Sequence, residues 1–252
     1  MKRLLAGLAV LGVLSGYVWL AAGEAADREA SRPASAPVGV TFDHAAADPR
    51  FDLLAAGGFD FVALTVTTDE AAGPELADTV GELKARAPGL PYAFFMTGGA
   101  PEVAATALDA LASRYARGDW FRFRGRPLVY TFGDLQPPED SRFTFININN
   151  SRIGDQFWVA DPPEFKRSLL TVTPSFTGRT VSIDPSRTGA ALDRQESFAR
   201  SNRDRVDLLL WHSWNVFSDG SAIVPHDVPG SPNPSDYVYG RVKEFNAGWK
   251  RP

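Results

Sequence analysis

DLLLWHSWNVFSDGSAIVP, residues 207–225, is the stretch whose reading decides the fold. Leu208, Leu209 and Leu210 form an apolar run without alternation, as in a strand buried on both faces of a parallel sheet. The run then turns aromatic and polar at Trp211, His212, Ser213, Trp214 and Asn215, with Asp219-Gly220 beyond it. A buried strand that becomes polar at its carboxyl end reads as one feeding the mouth of a parallel barrel.

Upstream, seven more segments read as strands: Val38–His44, Phe59–Val66, Leu90–Thr97, Arg126–Phe132, Phe143–Asn147, Phe157–Asp161 and Leu169–Phe176. Helices are expected between several of them. Asp48-Pro49 opens a short one ending at Ala56. Pro74–Ala87 carries the stripe Leu76, Val80, Leu83, and Pro101–Arg117 the stripe Ala104, Leu108, Leu111, Tyr115. Ala190–Asn202 and Ser235–Ala247 complete the set. This alternation predicts an α/β fold, and eight strands predict a (β/α)8 TIM-type barrel. The gaps 133–142, 148–156 and 162–168 are too short for crossover helices. The expected barrel is therefore reduced and irregular, with loops or antiparallel pairs in its middle.

Composition narrows the function. The 252 residues are 44% hydrophobic, enough for one sizeable core; length suits one barrel-sized domain or two small ones, and the barrel reading makes residues 38–252 a single domain. A net charge of -4 without a basic stripe argues against nucleic acid as a partner. With no cysteine, disulfides, thiolate ligands and cysteine nucleophiles are excluded. His44, His212 and His226 show no zinc-ligand spacing, no GxSxG elbow occurs, and no glycine loop suits a phosphate, so neither metal nor cofactor is expected. Lys2 and Arg3 precede the uncharged run Leu4–Gly23, which reads as a signal peptide or a retained membrane anchor. Either places the remainder outside the cytoplasm, in the periplasm, at the cell surface or secreted. Residues 24–37, rich in Ala, Ser and Pro, read as a flexible linker.

The pattern Ser213-Trp214-Asn215-x-Phe217-x-Asp219-Gly220-x-x-Ile223-x-Pro225 resembles the S/A-F/W-N-E-W-x-E-G-x-x-I/L-E-P signature of glycoside hydrolase family 99 and 71-like barrels. It is equally similar to WbsX-type proteins encoded with bacterial polysaccharide genes. Trp120–Phe132 (WFRFRGRPLVYTF) carries a second, weaker likeness, and Val172–Phe176 a third. The chain departs at the acids: Val216 stands at the first glutamate, Asp219 at the second and Val224 at the third.

The resemblance implies a polysaccharide or glycan as partner and Asp219 as general acid/base. Glycoside hydrolysis by the two-carboxylate route needs a second acid. Val216 carries no proton, so Asp43, at the end of the first strand, is the candidate replacement. The expected substrate-binding residues are Trp214, Asn215, Trp211, His212, His44 and Tyr130, with Asp161 and Asp184 at other strand ends. Trp211 and Trp214, an odd number of positions apart, are expected on opposite faces. Phe217 is expected to wall Asp219 and raise its pKa. Asp219-Gly220 also reads as a plain turn dipeptide. Two functions stay open: a working glycosidase, or a catalytically silent module of the same fold that binds carbohydrate or serves an envelope structure.

Overall fold

In the computed structural model, residues 35–45, 50–98, 100–115, 117–132, 135, 138–148, 165–166, 169–177, 182–228 and 231–250 are described. Apolar β-rich runs form the strands β1 (Val38–Asp43), β2 (Phe61–Thr67), β3 (Tyr92–Thr97), β4 (Arg122–Phe123), β5 (Arg126–Phe132) and β6 (Thr144–Asn147). β7 (Phe165–Lys166), β8 (Leu169–Val172), β9 (Phe176–Thr177), β10 (Ser182–Ile183) and β11 (Leu208–Trp211) follow. The helices are α1 (Phe51–Ala56), α2 (Pro74–Arg86), α3 (Pro101–Arg114), α4 (Thr188–Ser201) and α5 (Tyr237–Trp249). Proline opens both α2 and α3, where its missing N–H has no intrahelical partner to lose.

Seven strands run parallel in the order β6–β5–β3–β2–β1–β11–β8. β4 pairs antiparallel with the start of β5, β7 pairs antiparallel with β8, and β9–β10 form a separate hairpin. This corrects the expected (β/α)8 barrel. The chain forms a curled, open half-barrel sheet with few helices, and among the described residues β6 and β8 do not pair. The physical reason lies in the connections. The connection from β5 to β6 is shorter than an ordinary crossover of about a dozen residues, and among its described residues Leu135 and Phe143 join the outer core. The segment expected as the sixth strand, Phe157–Asp161, lies outside the described residues, as do residues 1–34 and the helix start at Asp48-Pro49.

Two further boundaries differ. Leu169–Phe176 is not one strand, because Pro174 has no N–H for the ladder; pairing stops at Val172 and resumes in the hairpin. The core also begins inside the predicted linker. Trp249 Nε1 donates to the Ala36 carbonyl at 2.9 Å, and Leu209 N to that of Pro37 at 3.0 Å. No helix among the described residues is long and apolar enough to cross a membrane.

Strand alternation divides the core into two layers. Val38, Val40, Val62, Leu64, Phe94, Val129 and Leu209 pack outward against Leu54, Leu76, Leu83, Leu108 and Val242 of the helices. Phe61, Ala63, Phe95, Leu128, Tyr130, Leu208 and Leu210 fill the inner layer. Near the amino ends the Phe61 ring stacks on Phe121, with centroids 4.0 Å apart, and lies over Gly39. A Cβ at Gly39 would sit 2.2 Å from that ring, so only glycine fits. The inner face is thus sealed by rings at one end, and its polar side chains collect at the carboxyl end.

Candidate functional site at the carboxyl ends of β1 and β11

The register Val40↔Trp211 sets β1 beside β11, so Thr41 and His212 become inner-face neighbours just past the apolar layer. Thr41 Oγ1 lies 3.1 Å from His212 Nδ1, and His212 Nε2 lies 3.2 Å from Asp219 Oδ2. Imidazole therefore bridges a buried hydroxyl and a carboxylate. An ionised carboxylate only accepts, so Nε2 carries the proton toward Asp219, while the Thr41 hydroxyl, which both donates and accepts, meets Nδ1 in either state. The Phe176 ring, brought in by the β9–β10 hairpin, packs against the imidazole with centroids 6.0 Å apart.

Asp219 is held from several sides. Its Oδ1 accepts from Ser221 N at 2.9 Å, its carbonyl accepts from Thr177 N at 2.7 Å, and the Ser175 hydroxyl donates to the Gly220 carbonyl. Gly220 takes φ 74°, the conformation that the turn reading of Asp219-Gly220 requires. Burial, the largest influence, pushes the carboxyl upward. The hydrogen bond and charge of His212, with the donors of Ser221, outweigh it and hold Asp219 below the usual carboxylate range. The expected apolar wall is not there: Phe217 is 45% exposed and meets His226 edge-on, with centroids 5.1 Å apart.

A second imidazole and carboxylate occupy the neighbouring strand ends. His44 Nδ1 donates to the Thr65 carbonyl at 2.7 Å, which turns Nε2 toward Glu70 Oε2, 3.9 Å away. Glu70 and Thr67 form a reciprocal capping box: Thr67 N donates to Oε2 at 2.8 Å, and Glu70 N to Thr67 Oγ1 at 3.3 Å. The backbone donor of Thr67 is the main cause holding Glu70 below its ordinary value, with His44 a smaller one. Asp43 Oδ1 turns back to accept from Ala45 N at 3.0 Å.

The remaining expected residues do other work. Asn215 is fully buried and clamps the Asp43 backbone, its Oδ1 accepting from Asp43 N at 2.8 Å and its Nδ2 donating to Asp43 O at 2.9 Å. Trp211 and Trp214 do not point to opposite faces. The ladder ends at Trp211, so alternation lapses, and both rings enter the outer core. Trp211 Nε1 donates to Asn246 Oδ1 at 3.0 Å, and the Trp214 ring packs edge-on to Phe59 and Tyr239. Tyr130 is wholly buried in the inner layer, and burial raises its phenol far above the ordinary range. Asp184 is exposed and caps its own turn through Ser186 N; Asp161 lies outside the described residues.

Thr41, Glu70 and Gln195 escaped the sequence reading. Glu70 had a legible signal in the run Thr67-Thr68-Asp69-Glu70, the spacing of a capping box. Gln195, buried on α4, clamps the Thr173 backbone with bonds of 2.8 and 2.7 Å, as Asn215 does for Asp43. Such clamps join residues distant in sequence and leave no local pattern. Among the described residues no three His, Asp or Glu side chains converge as a metal would require. No family model matches the chain, and no curated protein matches it. The likeness at Ser213–Pro225 thus rests on those residues themselves.

Proposed function

We propose that this chain is a catalytically silent carbohydrate-binding protein of the cell envelope. In this reading it is exported, or tethered through residues 4–23, and takes a polysaccharide or glycan at the carboxyl end of its sheet. One observation carries the silent half: the carboxyl of Asp219 is paired with His212 and held below its ordinary value. A general acid must keep its proton near neutral pH, which requires the opposite shift. Val216, at the position of the family's other glutamate, removes the second group. The carbohydrate half is supported by the resemblance and by Phe217, the aromatic of that loop left open to a sugar face.

A second reading is favoured by the chain Thr41–His212–Asp219. A carboxylate orienting an imidazole against a hydroxyl is general-base machinery, so the proton carrier would be His212 rather than Asp219. A glycan array and a reducing-end assay on the full-length protein, with His212→Asn and Asp219→Asn beside it, separate the two. Binding without release of reducing ends is the expected result. Turnover abolished by both substitutions would establish the second reading, and absence of both binding and turnover would overturn the carbohydrate assignment.

A further inference from the structure

Away from the His212 site, the amino end of β5 borders a cavity of about 130 Å³. Trp120, Arg122, Arg126, Pro127, Arg142 and Phe143 line it. Its size is close to the engineered cavity of roughly 150 Å³ that admits a benzene ring. One wall is apolar: the Trp120 and Phe143 rings pack on each other with centroids 5.5 Å apart, and Pro127 is buried beside them.

The charges around it are unbalanced. Arg142 is already occupied, forked onto Asp140 and bonded to Asp109. Arg122 donates only to a neutral acceptor, the Gly125 carbonyl, at 3.0 Å. Arg126 is exposed at the rim, paired through its backbone with Phe123, and its guanidinium has no partner among the described residues. Trp120 is only 3% exposed, yet its indole N–H has no acceptor. An unmade bond of that kind is costly and calls for an explanation. Two guanidinium groups without an anionic partner thus border a cavity with an aromatic floor.

We propose that this cavity binds a small flat-ringed anion, a carboxylate or a phosphate monoester. The ring lies against Trp120, Phe143 and Pro127, and the anionic group meets Arg122 and Arg126. Arginine's planar fork matches both kinds of oxyanion, so the shared chemistry is a bidentate acceptor on an apolar body. This site is independent of the glycan reading, and neither depends on the other.

Calorimetric titration of the full-length protein tests it with benzoate and phenyl phosphate as probes. Benzyl alcohol supplies the ring without charge, and inorganic phosphate the charge without the ring. At least one aryl anion is expected to saturate one site at least tenfold more tightly than either control, and the better probe identifies the anionic group. The exposed pair Arg122→Gln and Arg126→Gln should weaken binding at least tenfold with an unchanged circular dichroism spectrum. In the unsubstituted protein, raising salt from about 0.05 to 0.5 M should weaken it as well, and the Trp120 indole N–H resonance should move on binding. No saturable binding by either aryl anion, or affinity untouched by the double substitution, overturns the proposal.

Discussion

Two imidazole–carboxylate pairs stand at the carboxyl end of the sheet, and they differ in what holds the acid. In His212–Asp219 the partners are 3.2 Å apart and mostly buried, and the imidazole is the main reason the carboxyl stays ionised. In His44–Glu70 they are 3.9 Å apart, Glu70 is 44% exposed, and a backbone N–H does most of the work. Proximity of a histidine to an acid therefore means different things in the two places. One is a coupled unit, and the other is a helix-turn cap that happens to face an imidazole.

The largest expected effect comes from removing the coupled imidazole. His212→Ala leaves the Thr41 hydroxyl and the Asp219 carboxylate without their shared partner and strips the ring from Phe176. A loss of about 2–3 kcal/mol is expected in urea unfolding. An unchanged midpoint would dissolve the contrast between the pairs.

Asp219→Asn is expected to cost less, about 1–2 kcal/mol near neutral pH, because a charge-assisted bond becomes a neutral one. The cost should depend on pH with a definite sign. Asp219 has a depressed folded-state pKa. Its contribution is complete above the unfolded-state value of about 3.9 and disappears as the pH falls through the lower folded-state value. Thermal unfolding of the two proteins should therefore converge in acid, and a constant gap down to about pH 2 would show that His212 does not hold the charge.

Glu70→Gln should do least. Glutamine serves the same capping box, so a change within about 0.5 kcal/mol is expected, read in the same unfolding assay. A loss as large as that of Asp219→Asn would make the two pairs equivalent.

Both pairs illustrate what local sequence conveys. The run Leu208–Leu210 turning into Trp211–Asn215 marked a buried strand ending in a polar mouth, and that end does carry His212 and, through its loop, Asp219. The stripes on α2 and α3 were equally legible, since periodicity alone selects a buried helix face. The fate of Trp214 and Asn215 was not. An aromatic and an amide look the same in sequence whether they face a ligand or complete a core, and here the space beneath Phe59 and Tyr239 and the bare backbone of Asp43 claimed them.

Sequence by itself determined the longer strands and helices and the polarity of the β11 end, because hydrophobic period and turn chemistry act over a few residues. Tertiary structure alone decided that the sheet stays open and curled and that Thr41 meets His212. It also decided that Asp219 keeps its charge rather than its proton. Those outcomes depend on strand register and on which donors converge from distant parts of the chain, and a carboxyl's pKa is set by such neighbours rather than by its place in the sequence.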